Sequence, residues 1–159
     1  MELWILRHGE AGQEPADELG PTLSDWGVAQ IRRVAEALQD LPRQPKALYS
    51  SPLRRAMQTA DIFNEAWGLQ REVVDWLKPG VEPSQILQRL SQTHDEVLAV
   101  VGHLPSLGWL FSLLVWGLPP KEVVLPKGSV SCLQLKSWEP AEAKLQWVYH
   151  PELGMKQNH

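Results

Sequence analysis

Three short segments gather the residue types that can do chemistry. They are Arg7-His8-Gly9, Ser51-Pro52-Leu53-Arg54-Arg55 and Gly102-His103-Leu104-Pro105. Each follows a short apolar run, and each carries a cation or an imidazole where that run gives way to a loop or a helix. Two guanidiniums and two imidazoles with no nearby cysteine suit a tetrahedral oxyanion, because the arginine fork matches phosphate oxygens in geometry and charge. A neutral imidazole in such a group can attack phosphorus and carry it covalently. The arginines would then neutralise the equatorial oxygens of the transferring group. Two of the segments also open helices, where backbone N–H groups favour an anion. The candidate site residues are therefore Arg7, His8, Arg55 and His103.

Taken singly, each of these residues has a plainer reading. A lone histidine is more often a hydrogen-bonded structural residue, and an arginine in a helix is by default solvated. Their shared position at the ends of strands weighs against that plainer reading, because ligands in open α/β sheets bind outside the carboxyl ends of the strands; the family resemblance that these motifs carry is what reverses it. Arg54 reads as a surface or rim residue. Glu10 and Thr59 are candidates for a supporting layer, and His94, His150 and His159 belong to no motif.

The elements that must position the group follow from the apolar pattern. Leu3–Leu6 and Val97–Val101 are continuous apolar runs, as expected for strands buried on both faces. Ala47-Leu48-Tyr49 reads as a third strand and Val73-Val74 as a minor one. Ile31, Val34, Ala35 and Leu38 make one face of a helix that Ser24 caps and that ends near Asp40. Ser51-Pro52 is expected to start a second helix with a hydroxyl cap and an early proline. Its stripe is Leu53, Ala56, Met57, Ala60, Phe63 and Trp67, and Gly68 stops it. Ser84 is expected to cap a third helix, and Pro105 to begin a fourth. Val130–Leu135 and Leu145–Tyr149 read as a hairpin around Pro140. The order predicts an α/β fold: a three-layer α/β/α sandwich whose central sheet is mostly parallel with an antiparallel edge.

Composition sets the outer limits. The chain has 159 residues, 43% hydrophobic and 21% charged, which is ordinary for one globular domain spanning 1–159. Fifteen basic and nineteen acidic residues leave a net charge of −4, which argues against a nucleic-acid binder. The longest apolar run, Leu107–Leu118, sits among Pro105, Pro119 and Pro120 and falls short of the roughly 20 residues of a spanning helix. No membrane association or leader is expected. The one cysteine, Cys132, excludes an internal disulfide, fits a reducing cytoplasmic setting and reads as packing. The eight tryptophans are likewise read as packing. A metal site at His8 and His103 is not expected, since zinc takes three or four ligands and two arginines would repel it.

Four motifs in order carry a resemblance. Leu6-Arg7-His8-Gly9-Glu10 resembles the Arg-His-Gly signature of the histidine phosphatase superfamily, which includes the cofactor-dependent phosphoglycerate mutases. Thr22-Leu23-Ser24 with Gly27 and Gln30 is similar to the helix start that follows it. Ser51-Pro52-Leu53-Arg54-Arg55-Ala56-Met57-Gln58-Thr59-Ala60 resembles the second arginine motif, and Gly102-His103 the second histidine. The resemblance implies a phosphoglycerate mutase-like fold, His8 as the nucleophile that becomes phosphohistidine, and Arg7, Arg55 and His103 as the phosphate clamp. It implies no cofactor.

The short chain and the segment His103–Leu110 resemble the SixA-type phosphohistidine phosphatases. The expected activity is thus a metal-independent phosphatase acting on phosphohistidine displayed by a signalling or phosphotransfer protein. A small-molecule phosphomonoester phosphatase or mutase, and a weakly catalytic phosphate-binding protein, stand as alternatives. Many superfamily members supply a carboxylic acid. Here Asp17, Glu18, Glu72, Asp75 and Glu82 are all candidates and no pattern singles one out. A phosphoramidate leaving group needs such an acid less than an alkoxide does.

Overall fold

Two strands buried on both faces form the centre of the sheet. In the computed structural model, which describes residues 1–13, 17–118 and 123–151, β1 is Glu2–Arg7 and β4 is Val97–Gly102. Leu3 and Ile5 of β1 enter one apolar core and Trp4 and Leu6 the other. Leu98 and Val100 of β4 divide from Ala99 and Val101 in the same way. This two-sided burial is the physical reason that both strands read as unbroken apolar runs.

Around them lie α1 (Asp25–Leu38), β2 (Ala47–Ser50), α2 (Arg54–Trp67) and β3 (Arg71–Val73). A 3-10 turn at Asp75–Leu77 follows, then α3 (Pro83–Leu90), α4 (Ser106–Trp116), β5 (Val130–Leu135) and β6 (Ala143–Tyr149). The sheet order is β3-β2-β4-β1-β5-β6. The first four strands are parallel, and β5 pairs antiparallel with both β1 and β6. Helices α1 and α2 supply the core on one face; the 3-10 turn, α3 and α4 supply it on the other. The expected three layers, parallel centre and antiparallel edge are therefore present.

Register brings the strand ends level. Arg7 stands opposite Gly102, and Ser50 opposite Val101. One residue beyond, the His8 amide donates to the Gly102 carbonyl at 3.1 Å and the Ser51 amide to the Val101 carbonyl at 3.0 Å. Three segments far apart in sequence thus leave the sheet at the same end, the carboxyl end of its parallel strands.

Several boundaries differ from expectation. Helix α2 begins at Arg54 with Leu53 in the cap position and no side-chain cap. The Ser51 hydroxyl instead accepts from the Leu53 amide at 3.2 Å. Helix α3 begins at Pro83, not after Ser84, because the fixed φ of proline suits the first helical position. Ser24 does cap α1, accepting from the Gly27 amide at 3.0 Å, though the helix ends at Leu38. Gly68 ends α2 in the left-handed conformation. The minor strand covers Arg71–Val73, starting two residues and ending one residue before the expected Val73-Val74. Cys132 is buried among apolar side chains, and burial pushes its thiol up to about 12. Trp4 packs edge-on against Trp67 and Trp147. No helix among the described residues is long and apolar enough to cross a membrane. His159, Pro15, Pro119 and Pro120 lie outside the described residues.

Candidate active site

The end of β1 fixes one imidazole tightly. His8 is 6% exposed, and its Nδ1 lies 2.6 Å from the Gly9 carbonyl oxygen. A carbonyl only accepts, so Nδ1 carries the proton and Nε2 presents a lone pair. Gly9 is required by space: a Cβ there would lie 2.9 Å from Ile31 Cγ1 and 3.3 Å from the Gly27 carbonyl oxygen. Its amide donates to Thr59 Oγ1 at 3.1 Å, and that hydroxyl donates to the Arg55 carbonyl at 2.7 Å. Thr59 therefore ties the His8 loop to the first turn of α2. Glu10 is tied to α1, its carboxylate accepting from the Ser24 hydroxyl at 3.1 Å.

The four expected residues converge. Arg55 Nε donates toward His8 Nε2 at 3.4 Å. The His8 and His103 rings are 5.0 Å apart, centre to centre, and tilted by 49°. Arg7 donates through Nη1 to the Leu125 carbonyl at 2.7 Å, which anchors it from the loop before β5. Its charge and that of Arg55 act on both imidazoles. His103, 2% exposed, makes a 2.7 Å hydrogen bond through Nε2 to the Ser51 hydroxyl. Arg7 Nε and His103 Nδ1 are buried without a hydrogen-bond partner among the described residues, polar atoms of the kind that a bound oxyanion can satisfy.

The electrostatics keep both imidazoles neutral. Burial, with Arg55, Arg7 and Lys127 adding to it, lowers His8 to about 4 despite the opposing Gly9 hydrogen bond. Burial, then the charges of His8, Arg55 and Arg7, lowers His103 to about 3. Burial also lowers the Arg7 and Arg55 guanidiniums, whose ordinary values leave them charged at neutral pH. The arrangement can hold a dianion between two cations while a lone pair faces its phosphorus.

Other expectations change. The helix-start amides are partly occupied: Arg54 N–H donates to the Leu19 carbonyl at 3.0 Å and Leu107 N–H to the His103 carbonyl at 2.9 Å. Arg54 lies outside the clamp and grips Asp17 bidentately at 2.5 and 2.7 Å. That hydrogen-bonded pairing holds Asp17 down at about 2. Glu18, Glu72, Asp75 and Glu82 are exposed, and Asp75 pairs with Lys78 at 3.3 Å. His94 is exposed. His150, which no motif contains, lines a groove of about 280 Å³ with Glu10, Trp26 and Lys127.

Two residues of the site were not singled out by sequence. Ser51, expected as a helix cap, reaches His103 instead. Its place immediately after β2, level with the other strand ends, is the signal that finds it. Lys127 contributes to the field at His8 from a turn before β5, and no local pattern marks it.

Comparison with known proteins addresses the family and the fold. A family model for the histidine phosphatase superfamily (branch 1) matches residues 3–78. An uncharacterized protein of Picosynechococcus sp. is 31% identical over 82% of this chain and 82% of its own. The phosphohistidine phosphatase SixA of Escherichia coli (strain K12) is 29% identical over 76% of this chain and 78% of its own. The structure of the protein histidine phosphatase SixA complexed with tungstate superposes with a TM-score of 0.84 at 24% identity, covering 98% of this chain and 100% of that one. Family model, sequence relatives and fold agree: the chain belongs to the histidine phosphatase superfamily and is similar to its SixA-type members.

Proposed function

We propose that residues 1–159 act as one metal-independent phosphatase domain that works through a His8 phosphoenzyme on phosphohistidine carried by a signalling or phosphotransfer protein. The observation that carries the reading is the fixed His8 ring. Nδ1–H points at the Gly9 carbonyl and the Nε2 lone pair lies beside Arg55. The name of the Escherichia coli relative supports the substrate class. Two cations around the imidazoles oppose a metal ion, and the buried cysteine fits a reducing cytoplasm.

The transfer balances without a separate acid. His8 Nε2 attacks phosphorus and forms the new P–N bond. The P–N bond to the substrate imidazole breaks, and that ring takes the electron pair. A substrate ring protonated on its far nitrogen leaves neutral, while His8, protonated on Nδ1, becomes the cationic phosphoimidazole. Water then attacks phosphorus, the electron pair returns to Nε2, and both hydrogens of the water leave on dihydrogen phosphate. Arg7, Arg55 and His103 Nδ1 face the oxygens whose charge grows on the way. An alkyl phosphate differs because its alkoxide needs a proton. Asp17, in the loop between β1 and α1, is held ionised by Arg54.

The test is a rapid quench after mixing with a phosphohistidine-bearing protein or with p-nitrophenyl phosphate, followed by mapping of the bound phosphoryl group. Label on His8 and faster turnover of phosphohistidine are expected. Equal or faster turnover of alkyl phosphates moves the substrate to small phosphomonoesters. Tight phosphate binding with no phosphoenzyme makes the protein a binding module.

A further inference from the structure

We propose that Ser51 is a positioning residue that sets the tautomer of His103, so that the second imidazole presents Nδ1–H, a donor, to the phosphoryl group. The inference rests on the reading of His8 as nucleophile, but its first test needs no substrate.

The argument counts protons. Ser51 is fully buried and His103 nearly so. Ser51 Oγ has two hydrogen-bonding contacts among the described residues. One is the Leu53 amide at 3.2 Å, which can only donate to it. The other is His103 Nε2 at 2.7 Å. The hydroxyl has one proton of its own, and His103 Nε2 is the acceptor offered to it. If Nε2 carried the proton instead, the Ser51 oxygen would accept twice and its buried hydrogen would find no acceptor among the described residues, a costly arrangement. Ser51 O–H therefore donates to Nε2, and the neutral ring carries its proton on Nδ1.

That choice determines what His103 can do. Nδ1 is buried and makes no hydrogen bond to any described residue. Its ring stands 5.0 Å from His8. As a donor it stabilises a phosphoryl oxygen. In the other tautomer the same atom would face that oxygen with a lone pair, and repel it. The two histidines are thus set oppositely in function by simple acceptors and donors: a carbonyl at His8 leaves a bare Nε2 for attack, and a hydroxyl at His103 leaves a protonated Nδ1 for binding. The logic is that of a neighbour fixing the far nitrogen of an imidazole.

The experiment reads the tautomer by nitrogen NMR of the whole protein labelled at histidine, with His103 signals identified by their loss in His103→Gln. The expected wild-type spectrum has a protonated Nδ1 and a bare Nε2 at His103. Ser51→Ala should mix or reverse that pattern and lower kcat on the order of 10–100-fold, the range for residues that orient a functional imidazole. Ser51→Thr keeps the hydroxyl and should restore both. A wild-type proton on Nε2 overturns the proposal whether or not any variant folds. So does an unchanged tautomer in Ser51→Ala, or a changed one with unchanged kcat. Phosphoryl label missing from His8 in the quench above would instead overturn the reading of the nucleophile, while leaving the NMR result to stand on its own.

Discussion

Arg55 Nε lies 3.4 Å from His8 Nε2, so the guanidinium and the lone pair proposed to attack face the same small volume. Burial first, and then the Arg55 charge, keeps His8 neutral; on the proposed mechanism the same guanidinium contacts the transferring oxygens. Arg55→Ala should lower kcat on the order of 10²–10³-fold, as for other donors aimed at developing charge. Arg55→Lys should restore little of it, because an ammonium lacks the planar fork. Steady-state rates with one substrate decide the point, and a near-normal alanine variant would remove Arg55 from the clamp.

The two buried imidazoles set an unusual pH profile. His8 titrates at about 4 and His103 at about 3, against 6.5 for the free side chain. Both are neutral at pH 7, and kcat/KM should stay level as pH falls through 6.5, dropping only towards 4. Stability moves differently. Below 6.5 the unfolded chain gains protons that the folded one refuses, so the folded state weakens as pH drops from 6.5 towards the folded values. Melting temperature should therefore fall across a range in which the folded enzyme keeps its rate. An activity midpoint near 6.5 in still-folded protein would contradict the burial that underlies the site.

The sequence reveals this site to the extent that one strand end explains each residue. β1 and β4 are legible because burial on both faces removes every polar position, and the residue that breaks each run is a site residue or its neighbour. What is hidden depends on register. Ser51 and His103 are 52 residues apart and meet only because β2 and β4 end level. Pro52 then misleads, since a serine followed by proline reads as a helix start when the helix begins two residues later. β3 is three residues long, too short for alternation to place its ends. Lys127 sits in a turn with no period of its own, and only the fold brings it near His8.

Arg54 and Arg55 are adjacent and should behave differently. Arg54 grips Asp17 with both nitrogens and donates to the Gly20 carbonyl at 2.9 Å. Gly20 in turn lies so close to Arg55 that a Cβ would come within 2.8 Å of Nη1. Arg54 therefore braces the loop beside the clamp without joining it. Arg54→Ala and Asp17→Asn should produce the same change, a rise in KM of a few-fold with a loss in kcat well below that of Arg55→Ala, since exposed ion pairs contribute modestly. A proton-donating Asp17 would give another result: Asp17→Asn alone would lower kcat on alkyl phosphates about 10²-fold or more. Parallel kinetics of the two variants on both substrate classes separate a brace from an acid.

Gly27 shows how far the support of His8 extends. A Cβ on Gly27 would lie 2.2 Å from the Glu10 carbonyl oxygen and 3.1 Å from its amide nitrogen. Those are backbone atoms with no rotamer to change, so Gly27→Ala must move the segment that follows Gly9 or tilt the start of α1. Either movement disturbs the carbonyl that orients His8 and the Ser24 contacts to Glu10. Overpacking of this kind costs about 1–3 kcal/mol, visible as a lower melting temperature, and kcat should fall with it. Gly12→Ala is the matched control, since a Cβ there meets only the Thr22 carbonyl oxygen at 3.6 Å, an ordinary contact. It should leave melting and rate close to wild type. A Gly27→Ala protein with unchanged melting temperature would mean that the segment yields without cost, and the tight α1–β1 junction could not be what holds the nucleophile in line.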